Sequence, residues 1–316
     1  MQLHIHIDRD ILKEFSDQLG AQIVENKFII PEKWGVGTAE KISFDGDIEL
    51  ISMQFALHQP IQTQSKNPDN SPYFLLNINL SEKSVDKTVN GAYIEIQRNQ
   101  PSGMLFYKPG TSVSSISPVG VPFTILLVRF PKMMIQRYLE EKEEFSHISH
   151  VISSSSLIYE DLDLDSENYL RKILSSTNRF QKHAHLLSFL GIFIKKLGKR
   201  SPLKNSENIN SEDLKTLFMV AGKLRDPFMS NMSTNEDLAK LSAMSLTKFK
   251  NVFKQVFGTS PYQYHLQAKM QYAYRELIQG SQTISEVSYQ LGYSHPSKFT
   301  IAFKKQFHML PSEIRA

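Results

Sequence analysis

The stretch Thr234–Pro261, TNEDLAKLSAMSLTKFKNVFKQVFGTSP, is followed by a second version of itself at Thr283–Pro311, TISEVSYQLGYSHPSKFTIAFKKQFHMLP. Phe249, Phe253, Lys254, Phe257 and Pro261 return as Phe299, Phe303, Lys304, Phe307 and Pro311, all at an offset of 50. Upstream the offset is 49. It pairs Thr234 with Thr283, Asp237 with Glu286, Leu238 with Val287, Ala239 with Ser288, Ala243 with Gly292 and Ser245 with Ser294, and leaves His295 as one extra turn residue. A repeat this regular rarely arises by chance.

Each copy reads as a short helix, a tight turn and a longer helix, the longer ones near 246–257 and 296–307. Thr283 with Glu286 spells a capping box, and Thr234 with Asp237 a shorter version of it. Ala239 and Ser288 are small where two helices of a helix-turn-helix approach closely, and Gly292 in the turn takes φ > 0 at no steric cost. In the longer helices Phe at i, i+4 and i+8 makes one buried stripe. That leaves Thr247, Lys248, Lys250, Asn251 and Lys254 on the opposite face of the first, and Ser297, Lys298, Thr300, Ile301 and Lys304 on that of the second. One such helix could belong to any bundle; two with matching turns point to a duplicated reading unit.

Between the copies a single helix is expected from Pro261 to about Ile278, with Ser260 as N-cap, Pro261 at the first position and Gly280 as the stop. A spacer of ~17 residues is ~25 Å long. That length suits two recognition helices set roughly one duplex turn, about 34 Å, apart, each entering the major groove of double-stranded DNA. Thr247, Lys250 and Asn251 are expected to read base edges in one groove and His295, Ser297 and Lys298 in the next, since Asn pairs with adenine and Lys donates to guanine. Ser245, Lys248, Lys254, Thr300 and Lys304 are placed for phosphates. Charge agrees: thirteen Lys and Arg against eight Asp and Glu in residues 211–316 give +5 there, and the first 210 residues sum to about −1.

At 316 residues, 41% hydrophobic and 22% charged, the chain has the composition of a globular protein of two domains. Its apolar runs fall short of the ~20 residues of a membrane span, so a cytoplasmic location without membrane contact is expected. There is no Cys, which excludes disulfides, zinc-thiolate sites and thiol nucleophiles. His4 with His6 and His183 with His185 could in principle ligate a metal, though plain histidines are the commoner reading, and the acidic runs Glu140–Glu144 and Glu160–Asp165 have no His or other ligand at a fixed helical spacing, so they read as solvated helix faces. No phosphate loop, serine elbow or catalytic carboxylate pair is present, so neither enzyme activity nor a metal or other cofactor is expected.

Ahead of the repeat the pattern changes. From Trp34 to Phe130 short β-branched and aromatic runs alternate with Pro68-Asp69-Asn70, Asn90-Gly91, Pro101-Ser102-Gly103 and Pro109-Gly110, the punctuation of an antiparallel barrel or sandwich. Helical periodicity then spans Met133–Phe145 and Glu167–Leu197, the latter broken near Ser175–Thr177. Ser201–Asn210, SPLKNSENIN, reads as a linker. The expected layout is a β-rich domain at 1–155, a helical segment at 156–200, a linker at 201–210 and an all-α domain at 211–316. The apolar stripe Leu186–Leu197 is broad enough to build a homodimer, or else to pack on the β-rich domain.

The stretches DLAKLSAMSLTKFKNVFKQVFGTSPYQY and TISEVSYQLGYSHPSKFTIAFKKQFHMLPSEIR, with Gly292-Tyr293 in the turn and Pro311–Arg315 as the ending, resemble the AraC/XylS family of transcription regulators. The resemblance covers roughly Ser211–Ala316. It departs at Ile301, where many members place a polar or basic residue, and at His308, where the first copy has Gly258. It implies an all-α domain with two helix-turn-helix units, a cupin-like N-terminal barrel with a helical dimerisation segment, and control of RNA polymerase at promoters. The run Gly103–Gly110 is similar to the family's apolar strand and Pro-Gly turn, but Thr111, Ser112 and Val113 follow where metal-binding barrels place His. A metal-free small-molecule effector is therefore expected among Phe55, Tyr73, Tyr93, Phe106 and Tyr107, unless these simply fill the core. The rival expectation is a metal-independent cupin-like enzyme or binding protein with an accessory helical domain.

Overall fold

Ile48–Leu57 and Pro122–Pro131 are apolar on both alternating sets of side chains, a pattern that suits strands covered on two faces rather than one. The computed structural model describes residues 1–81, 86–89, 91–94, 103–139, 142–155, 157–200, 209–228 and 234–314. The chain divides into one unit of Met1–Phe218 with Gln255–Gly258, and another of Met219–Lys254 with Thr259–Ala316.

The first unit runs β1 (Gln2–His6), α1 (Ile11–Leu19), β2 (Lys27–Ile29), β3 (Gly35–Phe44), β4 (Ile48–Leu57), β5 (Gln62–Lys66), β6 (Tyr73–Asn79), β7 (Asp86–Val89), β8 (Ala92–Ile94), β9 (Gly103–Tyr107), β10 (Ser112–Ile116) and β11 (Pro122–Pro131). It continues through α2 (Lys132–Tyr138), α3 (Lys142–Ser154), β12 (Ile158–Asp161), α4 (Leu164–Ser175) and α5 (Arg179–Lys199). A five-stranded sheet has the order β1-β5-β10-β7-β8 and a seven-stranded sheet the order β12-β9-β6-β11-β4-β3-β2. Gly110 turns β9 into β10 at φ 85, a left-handed conformation that favours glycine.

Alternation sorts the larger sheet. Leu50, Phe74, Leu76, Phe106, Val128 and Phe130 project to one face and pack with Leu186, Phe189, Leu190, Phe193 and Leu197 of α5. Their neighbours Met53, Phe55, Leu75, Asn77, Phe123 and Leu127 line a cavity that Leu3, Ile5, Thr63 and Ser115 of the smaller sheet close from the other side. Full burial of each large apolar side chain contributes about 1.5–3 kcal/mol.

Three expectations change here. The stripe Leu186–Leu197 is spent inside the unit, because it covers the helix-facing side of the larger sheet; only the opposite side of α5, with Phe180, Ala184, Ser188 and Gly191, is exposed. The span 156–200 is not wholly helical, since β12 pairs with β9 from Ile158↔Phe106 to Asp161↔Gly103. Four residues are too few to show a period, and the pairing satisfies the free edge of β9. The segment Met133–Phe145 is two helices, α2 and α3. The linker expected at 201–210 lies almost wholly outside the described residues.

The second unit is helical. It takes part of α6 (Ser211–Leu224), then α7 (Asn235–Leu241), α8 (Leu246–Phe257) as far as Lys254, α9 (Pro261–Gln279), α10 (Ile284–Gln290) and α11 (Pro296–Phe307), and ends in a 3₁₀ turn at Pro311–Ile314. No helix among the described residues is long and apolar enough to cross a membrane.

Candidate nucleic-acid interface

The two copies fold alike down to single hydrogen bonds. In α7 the Thr234 hydroxyl accepts from Asp237 N at 3.1 Å, and Asp237 Oδ2 accepts in return from Thr234 N at 3.1 Å. In α10 the Thr283 hydroxyl accepts from Glu286 N at 3.1 Å and Glu286 Oε2 from Thr283 N at 2.6 Å. These are the reciprocal caps expected from sequence. The hydrogen bonds to Thr234 hold the Asp237 carboxyl below its ordinary pKa.

The turns repeat as well. Ala243 N donates to Lys240 O and Met244 N to Ala239 O; at the offset of 49, Gly292 N donates to Tyr289 O and Tyr293 N to Ser288 O. Ala243 sits at φ 52 and Gly292 at φ 82, both left-handed. Ala239 and Ser288 are buried beneath these turns, where a larger side chain would splay the helices.

Phe249, Phe253, Phe299 and Phe303 are fully buried. In the second copy the core also holds Met270, Ala273 and Leu277 of α9 with Val287 of α10 and Leu291 at its C-cap. The connecting helix α9 is capped by Ser260, whose hydroxyl accepts from Gln263 N at 3.3 Å, and stops at Gly280 with φ 72. Its 19 residues span about 28 Å at 1.5 Å each. Lys269 on α9 donates to Leu291 O, the end of α10, at 3.0 Å. His265 Nδ1 lies 2.8 Å from Leu224 O at the end of α6, and burial lowers its pKa, which suits a neutral ring donating to that carbonyl. The connector thus closes two helix ends while it spaces the copies.

What the packing leaves outward is the face expected to read DNA. Thr247, Lys250, Asn251 and Lys254 are exposed on α8, and His295, Ser297, Lys298, Ile301 and Lys304 on or beside α11; Lys248 and Thr300 are half-buried. Ser245 starts α8, its hydroxyl accepting from Lys248 N at 3.3 Å. His295 occupies the same place before α11 without a side-chain cap, and Pro296 begins that helix instead. The Thr300 hydroxyl donates to Pro296 O at 3.0 Å.

The residues expected around an effector do not all gather. Phe55 lines the inter-sheet cavity. Tyr107 is buried on the face of β9 opposite Phe106, and a hydrogen bond joins it to Asn77, which lines that cavity. Phe106 packs against Phe74 at 4.9 Å and Phe193 at 5.3 Å in the helix-facing core, so adjacent Phe106 and Tyr107 never share a face. Tyr73 lies under the Arg129 guanidinium at 4.4 Å, and Arg129 in turn pairs with Glu49 at 2.7 Å. Tyr93 is on β8, its side chain outside the described residues. The sequence reading missed Lys87, which is buried and donates to Asn77 Oδ1 at 2.7 Å; the signal was a charged residue in phase with apolar Val89 on one strand.

Among the described residues no three of His, Asp and Glu gather as a metal site. His183 stacks on Phe44 at 4.8 Å, and His6 Nδ1 lies 3.3 Å from Glu14 Oε1.

Residues 238–316 match a family model described as a helix-turn-helix domain. The virulence regulon transcriptional activator VirF of Yersinia enterocolitica is 32% identical over 77 residues, 24% of this chain and 28% of its own length. A putative AraC-like transcription regulator of Streptomyces lividans is 32% identical over 91 residues, 29% of each chain. This chain therefore spans less than a third of the length of these curated relatives. Among solved structures, the DNA-binding domain of AdpA in complex with a target DNA has 23% identity and a TM-score of 0.29, covering 32% of this chain and 89% of that one. Residues 238–316 thus form a helix-turn-helix domain, similar in sequence to part of an AraC-like transcription regulator.

Proposed function

We propose that the chain is a sequence-specific, double-stranded-DNA-binding transcription regulator that reads two adjacent major-groove segments with α8 and α11. The observation that carries this reading is the duplicated unit itself: two hydrogen-bond-matched helix-turn-helix copies on a capped 19-residue connector, each leaving a polar and basic face outward. Thr247, Lys250 and Asn251 read base edges in one groove; His295, Ser297 and Lys298 do so in the next. Ser245, Lys248, Lys254, Thr300 and Lys304 hold phosphates. Ile301, 69% exposed on α11, suits the methyl group of thymine.

The β-rich part, proposed as residues 1–155, serves as a cupin-like sensor for a small effector, and the DNA-bound chain recruits or blocks RNA polymerase in the cytoplasm. Helices of 156–200 supply a homodimer contact. With the inner stripe of α5 already buried, that contact belongs to its outer face, where Ala184, Ser188 and Gly191 allow close approach.

Selection of bound duplexes from a random library, followed by retardation of the winners at two salt concentrations, tests the reading. One recovered motif with two half-elements about one turn apart supports it. Retention of all duplexes alike overturns it. Sedimentation of the full chain at tens of micromolar checks the dimer separately.

A further inference from the structure

We infer that the cavity between the two sheets of the first unit binds a small organic monoanion, a carboxylate on a short apolar body, with Lys87 holding its charged end. The inference rests on the effector-responsive part of the function proposed above and supplies the chemistry of the ligand.

A lysine is almost never fully buried unless paired. Lys87 is 3% exposed, and among the described residues no carboxylate lies within ion-pair distance of it. Its hydrogen-bond partner is the neutral amide of Asn77, at 2.7 Å. The strand register sets the face to which the Lys87 side chain projects. Lys87 is paired with Ser115 across β7 and β10, and Ser115 with Thr63 across β10 and β5. Directly paired residues project to the same face of a sheet, and both Ser115 and Thr63 line the cavity, as does Asn77 from the opposing sheet. The polar lining is thus the Asn77 amide and the hydroxyls of Thr63, Ser65, Ser115 and Ser117, with no carboxylate among it, and the Lys87 ammonium stands just behind, bonded to Asn77. The rest of the lining is apolar, with Leu3, Met53, Phe55 and Phe123 among it. An anion with an apolar body satisfies both ends, whereas a neutral ligand leaves the ammonium uncompensated.

The cavity measures about 50 Å³. Since one water needs roughly 10–15 Å³ on this measure, the empty space takes about three to five waters, and a short-chain acid enters as the lining side chains shift. Burial lowers Lys87 to a pKa of about 7. The other titratable side chain hydrogen-bonded at Asn77 is Tyr107 of β9, which burial raises and so keeps neutral. An arriving anion restores the charge on Lys87, and at pH 8 its binding draws a proton from the buffer.

The probes are hexanoate and hexanamide, titrated into the full-length chain by calorimetry. Emission of Trp34 is the second readout: it is the sole Trp, and its ring N–H donates to the carbonyl of Leu19, a cavity residue. Hexanoate is expected to bind at least tenfold tighter than the isosteric amide. At pH 8 its enthalpy should track the ionisation enthalpy of the buffer. Lys87→Met, close in length but uncharged, should bring acid and amide within twofold of each other. If that variant does not fold, Asn77→Leu, which removes the oxygen that aims the ammonium, should reduce the preference at least threefold. Equal binding of acid and amide by the unaltered chain, or no binding of either at 10 mM, overturns the inference.

Duplex retardation without ligand isolates the regulator reading. Operator binding with no acid binding removes this site alone. Acid binding with unchanged operator affinity keeps the site and removes its regulatory use.

Discussion

The two helix-turn-helix copies make the same two left-handed turns with exchanged residues. The first copy has Ala243 at φ 52 between its helices and Gly258 at φ 74 after the longer one; the second has Gly292 at φ 82 and His308 at φ 61. Each copy thus places one glycine and one residue that bears the strain. What the fold demands is the backbone conformation, and a packed core tolerates about 1–2 kcal/mol for a side chain held there. The copies also start their longer helices differently, by a serine cap in α8 and by proline in α11.

The largest effect should be the one the copies share. Phe253→Ala and Phe303→Ala remove fully buried rings and should each cost about 3–5 kcal/mol, read by urea unfolding of the full chain with circular dichroism. Phe307→Ala, at a half-buried position, should cost visibly less. A smaller loss at Phe303 than at Phe307 would show that the second core is not organised as the first.

Next in size are the DNA contacts, which should separate the outward faces by role. Asn251→Ala should lose about 1–3 kcal/mol of discrimination at one base pair. Lys304→Ala should weaken all duplexes alike and lower the salt slope by about one unit. The same profile from both variants would erase the distinction between reading and positioning residues.

The exchanged turn residues come third. Gly292→Ala should destabilise by about 1–2 kcal/mol, while Ala243→Gly and His308→Gly should be neutral or stabilise by up to about 1 kcal/mol, since glycine relieves strain but costs chain entropy. Thermal melts of the three variants under one buffer condition decide it, and a loss at Ala243→Gly comparable to that at Gly292→Ala would contradict the strain argument. The smallest contrast lies at the helix starts: Ser245→Ala should cost about 1 kcal/mol, whereas His295→Ala, which removes no cap, should change stability by less than about 0.5 kcal/mol.

Local chemistry made the second unit legible in the sequence. Capping boxes, the Pro261 start and Gly280 stop, and Phe stripes at i, i+4 and i+8 act within a few residues of one another, and the repeat states each of them twice. Those signals determined two helix-turn-helix units, their connector and their outward faces. Tertiary structure alone decided the rest, because a strand's alternation says which residues share a face but not which layer covers it. It sent Phe106 to the helices and Tyr107 to the inter-sheet side, spent the stripe of α5 on the larger sheet, and added β12 to the free edge of β9. It also enclosed Lys87 between two sheets, a placement set by the register of β7 on β10 and by the sheet opposite, neither of which is written in the four residues of that strand.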